Sequence, residues 1–207
     1  MNIDQLRHVY DRLAPVYDKS AGLLENVVLG DLRQAFGDQL RGDTLEIAIG
    51  SGLNLPYYTP AVTRAAGVDL SSGMLEEARQ RADTLGRKIE LVQMNAEQLA
   101  FPDQSFDTVA VSLALCTVPR PSVALDEIAR VCRPDGVAVF LEHVRSPNWP
   151  VYAFERLWSP IQERTMGCSL VRESVAAIQH SGFRVMSEHS RLLGIFRLVV
   201  ATPPVGR

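Results

Sequence analysis

An apolar run that stops at two glycines, followed one strand later by a carboxylate, limits this chain to few folds. Thr44-Leu45-Glu46-Ile47-Ala48-Ile49 is short and apolar, and it ends in Gly50-Ser51-Gly52. Such a run reads as a buried strand entering a tight turn, where glycine permits a sharp backbone and leaves room for a ligand. Asp69 stands nineteen residues after Gly50, at the end of a second strand pattern, Thr63 to Asp69. In an open α/β sheet the ligand binds outside the carboxyl ends of the strands, where strand order reverses. A carboxylate there accepts hydrogen bonds from two ribose hydroxyls, so the pair points to a nucleoside-type ligand.

The type of nucleoside is narrowed by what is missing. A dinucleotide GxGxxG counted from Gly50 needs glycine at position 55, which is Leu55; counted from Ala48 it needs glycine at 53, which is Leu53. A pyrophosphate pressed onto the following helix, and with it NAD, is disfavoured. No GxxxxGK[ST] occurs, so nucleoside triphosphates are disfavoured too.

Strand and helix patterns alternate along the rest of the chain. Residues 3–40 read as helical, with Leu6, Val9, Tyr10 and Leu13 at helical spacing, an interruption at Pro15, and a second helix through Leu23 to Phe36. A helix from Met74 to Leu85, strands over Ile89–Met94 and Phe106–Leu113, and a helix from Ser122 to Cys132 follow. Arg133-Pro134-Asp135-Gly136 reads as a turn before a strand over Val137–His143. Two helical segments, 151–165 and 170–180, precede strands over Arg184–Glu188 and Ile195–Ala201. The expected fold is α/β, a doubly wound, mostly parallel seven-stranded sheet with one antiparallel strand from a C-terminal hairpin. No repeat or linker divides residues 1–207, which read as one domain: 1–42 helical, 43–145 the ligand-binding core, 146–207 further helices and the closing hairpin.

Composition removes other classes. The net charge of −3 with no basic block gives no footprint for nucleic acid. No apolar stretch approaches the roughly 20 residues that span a bilayer, and the first residues are no secretory signal; peripheral membrane contact stays open. Three cysteines, Cys116, Cys132 and Cys168, contain no CxxC pair. They argue against a disulfide framework or metal site, fit a reducing cytoplasm, and are expected to be buried small apolar residues.

At this level of detail the residues resemble a known family. The chain is similar, over roughly residues 10–200, to class I S-adenosylmethionine (SAM)-dependent methyltransferases, in the group around the ubiquinone/menaquinone C-methyltransferases. Glu46 to Gly52 resembles the loop that wraps the cofactor's methionine part, and Gly67-Val68-Asp69-Leu70-Ser71 with Met74 its ribose segment. The stretch from Asn95-Ala96-Glu97 to Asp107 resembles the segment whose start flanks the adenine, and Arg130 to Gly136 the turn before the fifth strand. Ala48, Asn54 and Asn95 depart from the usual glycine, glycine and aspartate. The resemblance implies SAM as cofactor, held by Tyr10, Glu46, Gly50, Gly52, Asn54, Asp69, Leu70, Met74, Asn95, Ala96, Glu97 and Leu113, with no metal.

Tyr10-Asp11-Arg12-Leu13-Ala14-Pro15-Val16-Tyr17-Asp18 resembles an N-terminal helical lid that also occurs in bacterial phosphatidylethanolamine N-methyltransferases. Leu115 to Pro119, Glu142 to Ser146 and Gly167 to Ser174 resemble thiol S-methyltransferases. The implied activity is methyl transfer to a small, fairly apolar acceptor, a thiol first, with a phospholipid amine or a quinone carbon as the alternative. A SAM-binding sensor or partner subunit without catalysis is the non-enzyme alternative. His143, at the carboxyl end of a strand, and Tyr17, seven residues from Tyr10, are the catalytic candidates. Trp149, Phe154, Trp158 and Met166 either wall an acceptor pocket or pack on the sheet.

Overall fold

Every strand that borders the glycine turn runs parallel to its neighbours. The computed structural model describes residues 1–204, without the side chains of 20–28 and 30. Strands β1 (Gly42–Ile47), β2 (Val62–Asp69), β3 (Glu90–Gln93), β4 (Phe106–Ser112), β5 (Cys132–His143), β6 (Arg184–Arg191) and β7 (Phe196–Thr202) form one sheet in the order β3-β2-β1-β4-β5-β7-β6. β7 alone is antiparallel, pairing with β5 on one side and β6 on the other. The order reverses between β1 and β4, which places a ligand crevice at the carboxyl end of β1.

Alternation along the strands feeds two cores. Leu45 and Ile47 of β1, Val109 and Val111 of β4 and Phe140 of β5 meet one face, with Leu125 and Ile128 of helix α3 (Pro121–Val131) and Ile178 of α5 (Ser174–His180). Ala110, Val139 and Leu141 meet the other, with Leu29, Leu32 and Phe36 of α1 (Ile3–Gly37) and Leu75 and Ala82 of α2 (Ser72–Thr84). Burial of both strand faces explains the near-continuous apolar runs.

Three local readings change. α1 is one 35-residue helix that passes through Pro15. An interior proline costs about 3 kcal/mol, and the flanking residues offset it: Ala14 is buried, and Asp11 and Asp18 on either side bond to the core. Arg133-Pro134-Asp135-Gly136 lies within β5, where the pairing slips between Phe106↔Cys132 and Thr108↔Val137; the turn residues are taken up as a bulge. β6 runs on to Arg191, and its exposed Arg184, Glu188, His189 and Arg191 blunt an open sheet edge.

Helix α4 (Trp149–Thr165) is inside out. Glu155 and Ser159 are buried, whereas Trp149 is 77% exposed, Phe154 63%, Leu157 77%, Trp158 45% and Ile161 48%. The aromatic residues expected to line a pocket or pack on the sheet therefore do neither; only Met166 is half-buried. No helix among the described residues is long and apolar enough to cross a membrane.

Candidate active site

The cleft begins where β1 ends. Ala48, Gly50 and Gly52 all adopt left-handed backbone angles, φ 54°, 58° and 78°, so the chain doubles back at once. A Cβ added at Gly50 would meet nothing within 4 Å, so this residue borders open space. A Cβ at Gly52 would lie 2.7 Å from Leu55 Cδ1 and 3.3 Å from Ala78 Cα. Gly52 thus serves close packing of the turn on α2 and does not line the cleft.

The open space is a cleft continuous with solvent. Tyr10, Tyr17, Glu46, Gly50, Asn54, Asp69, Leu70, Met74, Asn95, Ala96 and Leu113 all line it. Glu97 does not: it is buried and accepts from the Arg120 N–H (2.7 Å) and Nε (2.8 Å), fixing the start of α3. Asn95 Oδ1 accepts from the Glu97 N–H at 3.0 Å, which shapes the loop at the far end of the cleft.

Two buried carboxylates face the ligand space. Asp69 accepts from the Gly50 N–H through Oδ2 (2.9 Å) and from the Ser71 N–H through Oδ1 (2.8 Å). Each oxygen retains a lone pair, which suits a vicinal diol. Burial pushes its carboxyl up to about 6, against the pull of these N–H groups. Glu46 is fully enclosed, accepting from Asn54 Nδ2 (2.5 Å) and the Tyr58 hydroxyl (2.6 Å), and burial pushes it up to about 7.

Arg33, from α1, bonds to Asn54 and completes this network in the cleft wall. Sequence reasoning missed Arg33 and Tyr58. An arginine inside a helix looks like one more surface charge, and nothing in its spacing links it to a strand residue. The Asn-Leu-Pro-Tyr-Tyr run after the glycine turn, which forms a 3₁₀ turn over Leu55–Tyr57, was the available signal for Tyr58.

The N-terminal half of α1 lies over the cleft and is anchored there by its aspartates. Asp11 Oδ1 accepts from Ser71 Oγ (2.6 Å) and the Gly73 N–H (3.1 Å) at the start of α2. Asp18 accepts from Ser51 Oγ at 2.6 Å and pairs with Arg81. The adjacent Tyr10 and Tyr17 point into the cleft with ring centroids 6.4 Å apart. The hydroxyl of Tyr10 is raised well above its ordinary pKa by burial, then by Tyr17 and the nearby thiols, so it stays a neutral phenol.

His143 sits elsewhere. It is absent from the cleft lining; its ring packs edge-on against Phe196, and Nε2 is 3.9 Å from Glu155 Oε1. Burial pushes it down to about 4. Its neighbour Glu142 faces the other way, and its Oε1 accepts from the Ala114 (3.2 Å) and Leu115 (3.1 Å) N–H groups at the cleft wall. Among the described residues no group of three His, Cys, Asp or Glu is placed to hold a metal ion.

Comparison with known proteins shows the family. Residues 45–140 match the methyltransferase-domain family. Over 170 residues the chain is 36% identical to a phosphatidylethanolamine N-methyltransferase of Cereibacter sphaeroides, covering 81% of each chain. The chain belongs to the class I SAM-dependent methyltransferases. This methyltransferase is also 30% identical over 162 residues to a 2-phytyl-1,4-naphtoquinone methyltransferase of Nostoc, covering 74% of this chain and 71% of that one. In fold it matches a Haloferax volcanii methyltransferase solved with the Trm112 activator, at TM-score 0.75 and 20% identity over 94% of this chain and 97% of that one.

The residues present fit the cofactor. Open space beside Gly50, a diol-accepting carboxylate at Asp69 and a buried Ser112 Oγ in the cleft wall, without a hydrogen-bond partner among the described residues, are what an adenosyl ligand with polar ends requires.

Proposed function

We propose that the methyltransferase methylates the amine of an amphiphile at a lipid surface, a phosphatidylethanolamine headgroup being the acceptor. The inside-out α4 carries this reading. Leu157, Trp158, Phe154 and Ile161 share one exposed face, and a surface of tryptophan, phenylalanine and leucine suits the boundary between headgroups and acyl chains. The relative at 36% identity carries the name of that activity.

In this reading Asp69 holds the ribose, Glu46 and Gly50 the amino-acid end, and Asn95 with Ala96 the adenine. SAM supplies an electrophilic methyl group on a sulfonium with a good leaving group. The protein's share is alignment, which can contribute several kcal/mol by proximity alone. Tyr10 and Tyr17 line the reacting end. Their rings attract an alkylammonium by cation–π contact, and their hydroxyl oxygens accept from the amine N–H groups. The lid aspartates, Asp11 and Asp18, hold both tyrosines in register. Arg7, in the cleft lining and already paired with the exposed Asp4 at 3.1 Å, offers its remaining N–H donors to a phosphodiester.

The test is transfer of labelled methyl from SAM to three acceptors in parallel: phosphatidylethanolamine in phosphatidylcholine vesicles, a demethylated naphthoquinol and an alkyl thiol. The expected result is stepwise methylation of the lipid amine and co-sedimentation with the vesicles. Both are expected to weaken in the Leu157→Glu, Trp158→Glu double variant while affinity for S-adenosylhomocysteine stays unchanged. Methylation of the quinol or the thiol with no lipid product overturns the acceptor assignment.

A further inference from the structure

Two of the three cysteines, fifty-two residues apart in sequence, meet beside the cleft. Cys116 Sγ and Cys168 Sγ lie 3.3 Å apart and share a hydrogen bond, with Cys116 buried and Cys168 partly exposed. Cys116 and Cys132 are buried, as expected of small apolar residues, whereas Cys168 is half-buried and touches Cys116. Their segments are already locked together by other contacts: the Ser169 N–H donates to the Cys116 carbonyl (3.1 Å), and Arg172 Nη1 donates to the carbonyls of Leu115 and Val118 (2.7 Å each). Ala114, Thr117 and Val118, on either side of Cys116, line the cleft, and Tyr10 is within electrostatic reach of both sulfurs. The close approach is thus built into the wall rather than a chance meeting of surface side chains.

We infer that Cys116 and Cys168 form a redox site, which a peroxide converts into a disulfide that staples the segment after α4 to the cleft wall. The sulfurs need to close from 3.3 Å to about 2.05 Å, and the hydrogen bonds that join the two segments keep them opposed. Cys168, the accessible member, attacks hydrogen peroxide as thiolate. An S–O bond forms as the O–O bond breaks, and the departing hydroxide takes up the thiol's proton as water. Cys116 then attacks the resulting sulfenic sulfur; the S–S bond forms, the S–O bond breaks, and the second hydroxide leaves as water with the Cys116 proton. Two thiols are oxidised and one peroxide is reduced to two waters.

The environment supports that division of labour. The hydrogen bond with Cys116 draws the Cys168 thiol below its ordinary range, whereas the same bond and burial push Cys116 up. A low-lying, accessible thiol beside a resolving partner is the arrangement that peroxides select. Cys132, buried in the core at the start of β5, is pushed up to about 12 by burial and serves as the internal control. The inference holds whichever acceptor the enzyme methylates.

The experiment treats the full chain with hydrogen peroxide, then maps disulfides by peptide mass spectrometry and measures Tm with and without dithiothreitol. Expected is an intramolecular link between the Cys116 and Cys168 peptides, reversed by dithiothreitol, lost in Cys116→Ser and in Cys168→Ser, and kept in Cys132→Ser. Closing a loop of that length is expected to raise Tm on the order of 10 °C. Peroxide that drives Cys168 to sulfinic acid with no link, or a link through Cys132 or between molecules, overturns the inference. The wild-type map decides alone, so a variant that fails to fold leaves the test intact.

Discussion

Replacing Glu46 by glutamine is expected to stabilise the fold and weaken the cofactor site at the same time. Glu46 is fully buried, and burial raises its carboxyl from 4.5 to about 7. The folded state therefore favours the protonated acid, so the contribution of Glu46 to stability is greatest below pH 4.5 and falls as pH rises from 4.5 to about 7. Above pH 7 the penalty is constant. That difference corresponds to about 3 kcal/mol. Glutamine mimics the neutral acid: its oxygen accepts from Asn54 Nδ2, and the Tyr58 hydroxyl turns to accept from its amide. Urea unfolding at pH 8 is expected to show E46Q more stable than wild type by about 3 kcal/mol, shrinking towards zero near pH 4.5. Calorimetry at pH 8 is expected to show S-adenosylhomocysteine binding about 10-fold weaker or worse, since the ligand's ammonium loses an ionised partner. An E46Q protein less stable than wild type at pH 8, or a gain equal at pH 5 and pH 8, refutes the burial argument.

Three further outcomes follow from single residues. Ala48→Gly relieves a left-handed backbone angle of 54° and is expected to add about 1 kcal/mol, seen as a Tm increase of ~3 °C; an unchanged or lower Tm contradicts the strain. Asp18→Ala removes the lid's bonds to Ser51 and Arg81, and calorimetry is expected to show affinity for S-adenosylhomocysteine falling about 10-fold with the circular dichroism spectrum retained. His143, pushed by burial from 6.5 to about 4, contributes stability that is present above pH 6.5 and lost as pH falls towards 4. His143→Gln is expected to flatten that acid limb of an unfolding titration while leaving kcat unchanged; a collapse of kcat would return His143 to the chemistry.

The sheet and the ligand end of β1 were legible because each depends on local pattern. Apolar runs closed by Gly50 and Asp69 are dictated within six to eight residues, and the mostly parallel order follows from their alternation with helices. Residues whose roles arise from distant contacts were not legible. Pro15 looked like a helix break because the bonds of Asp11 and Asp18 that hold the helix together reach residues 33 to 63 positions away. The Arg33–Asn54–Glu46–Tyr58 network joins three elements. The outward-facing aromatics of α4 carry an amphipathic pattern whose inner and outer faces only the buried Glu155 and Ser159 distinguish. The cysteine pair is likewise hidden by 52 residues of separation.

The central claim is that the crevice at the end of β1 holds an adenosyl sulfonium through Asp69. Calorimetric titration of the wild-type protein and of Asp69→Ala with SAM, S-adenosylhomocysteine and NADH tests it most directly. The account predicts binding of both adenosyl ligands on the order of micromolar, no binding of NADH, and loss of at least about 10-fold in affinity on Asp69→Ala. Binding of NADH alone, or adenosyl affinity indifferent to Asp69, would contradict it.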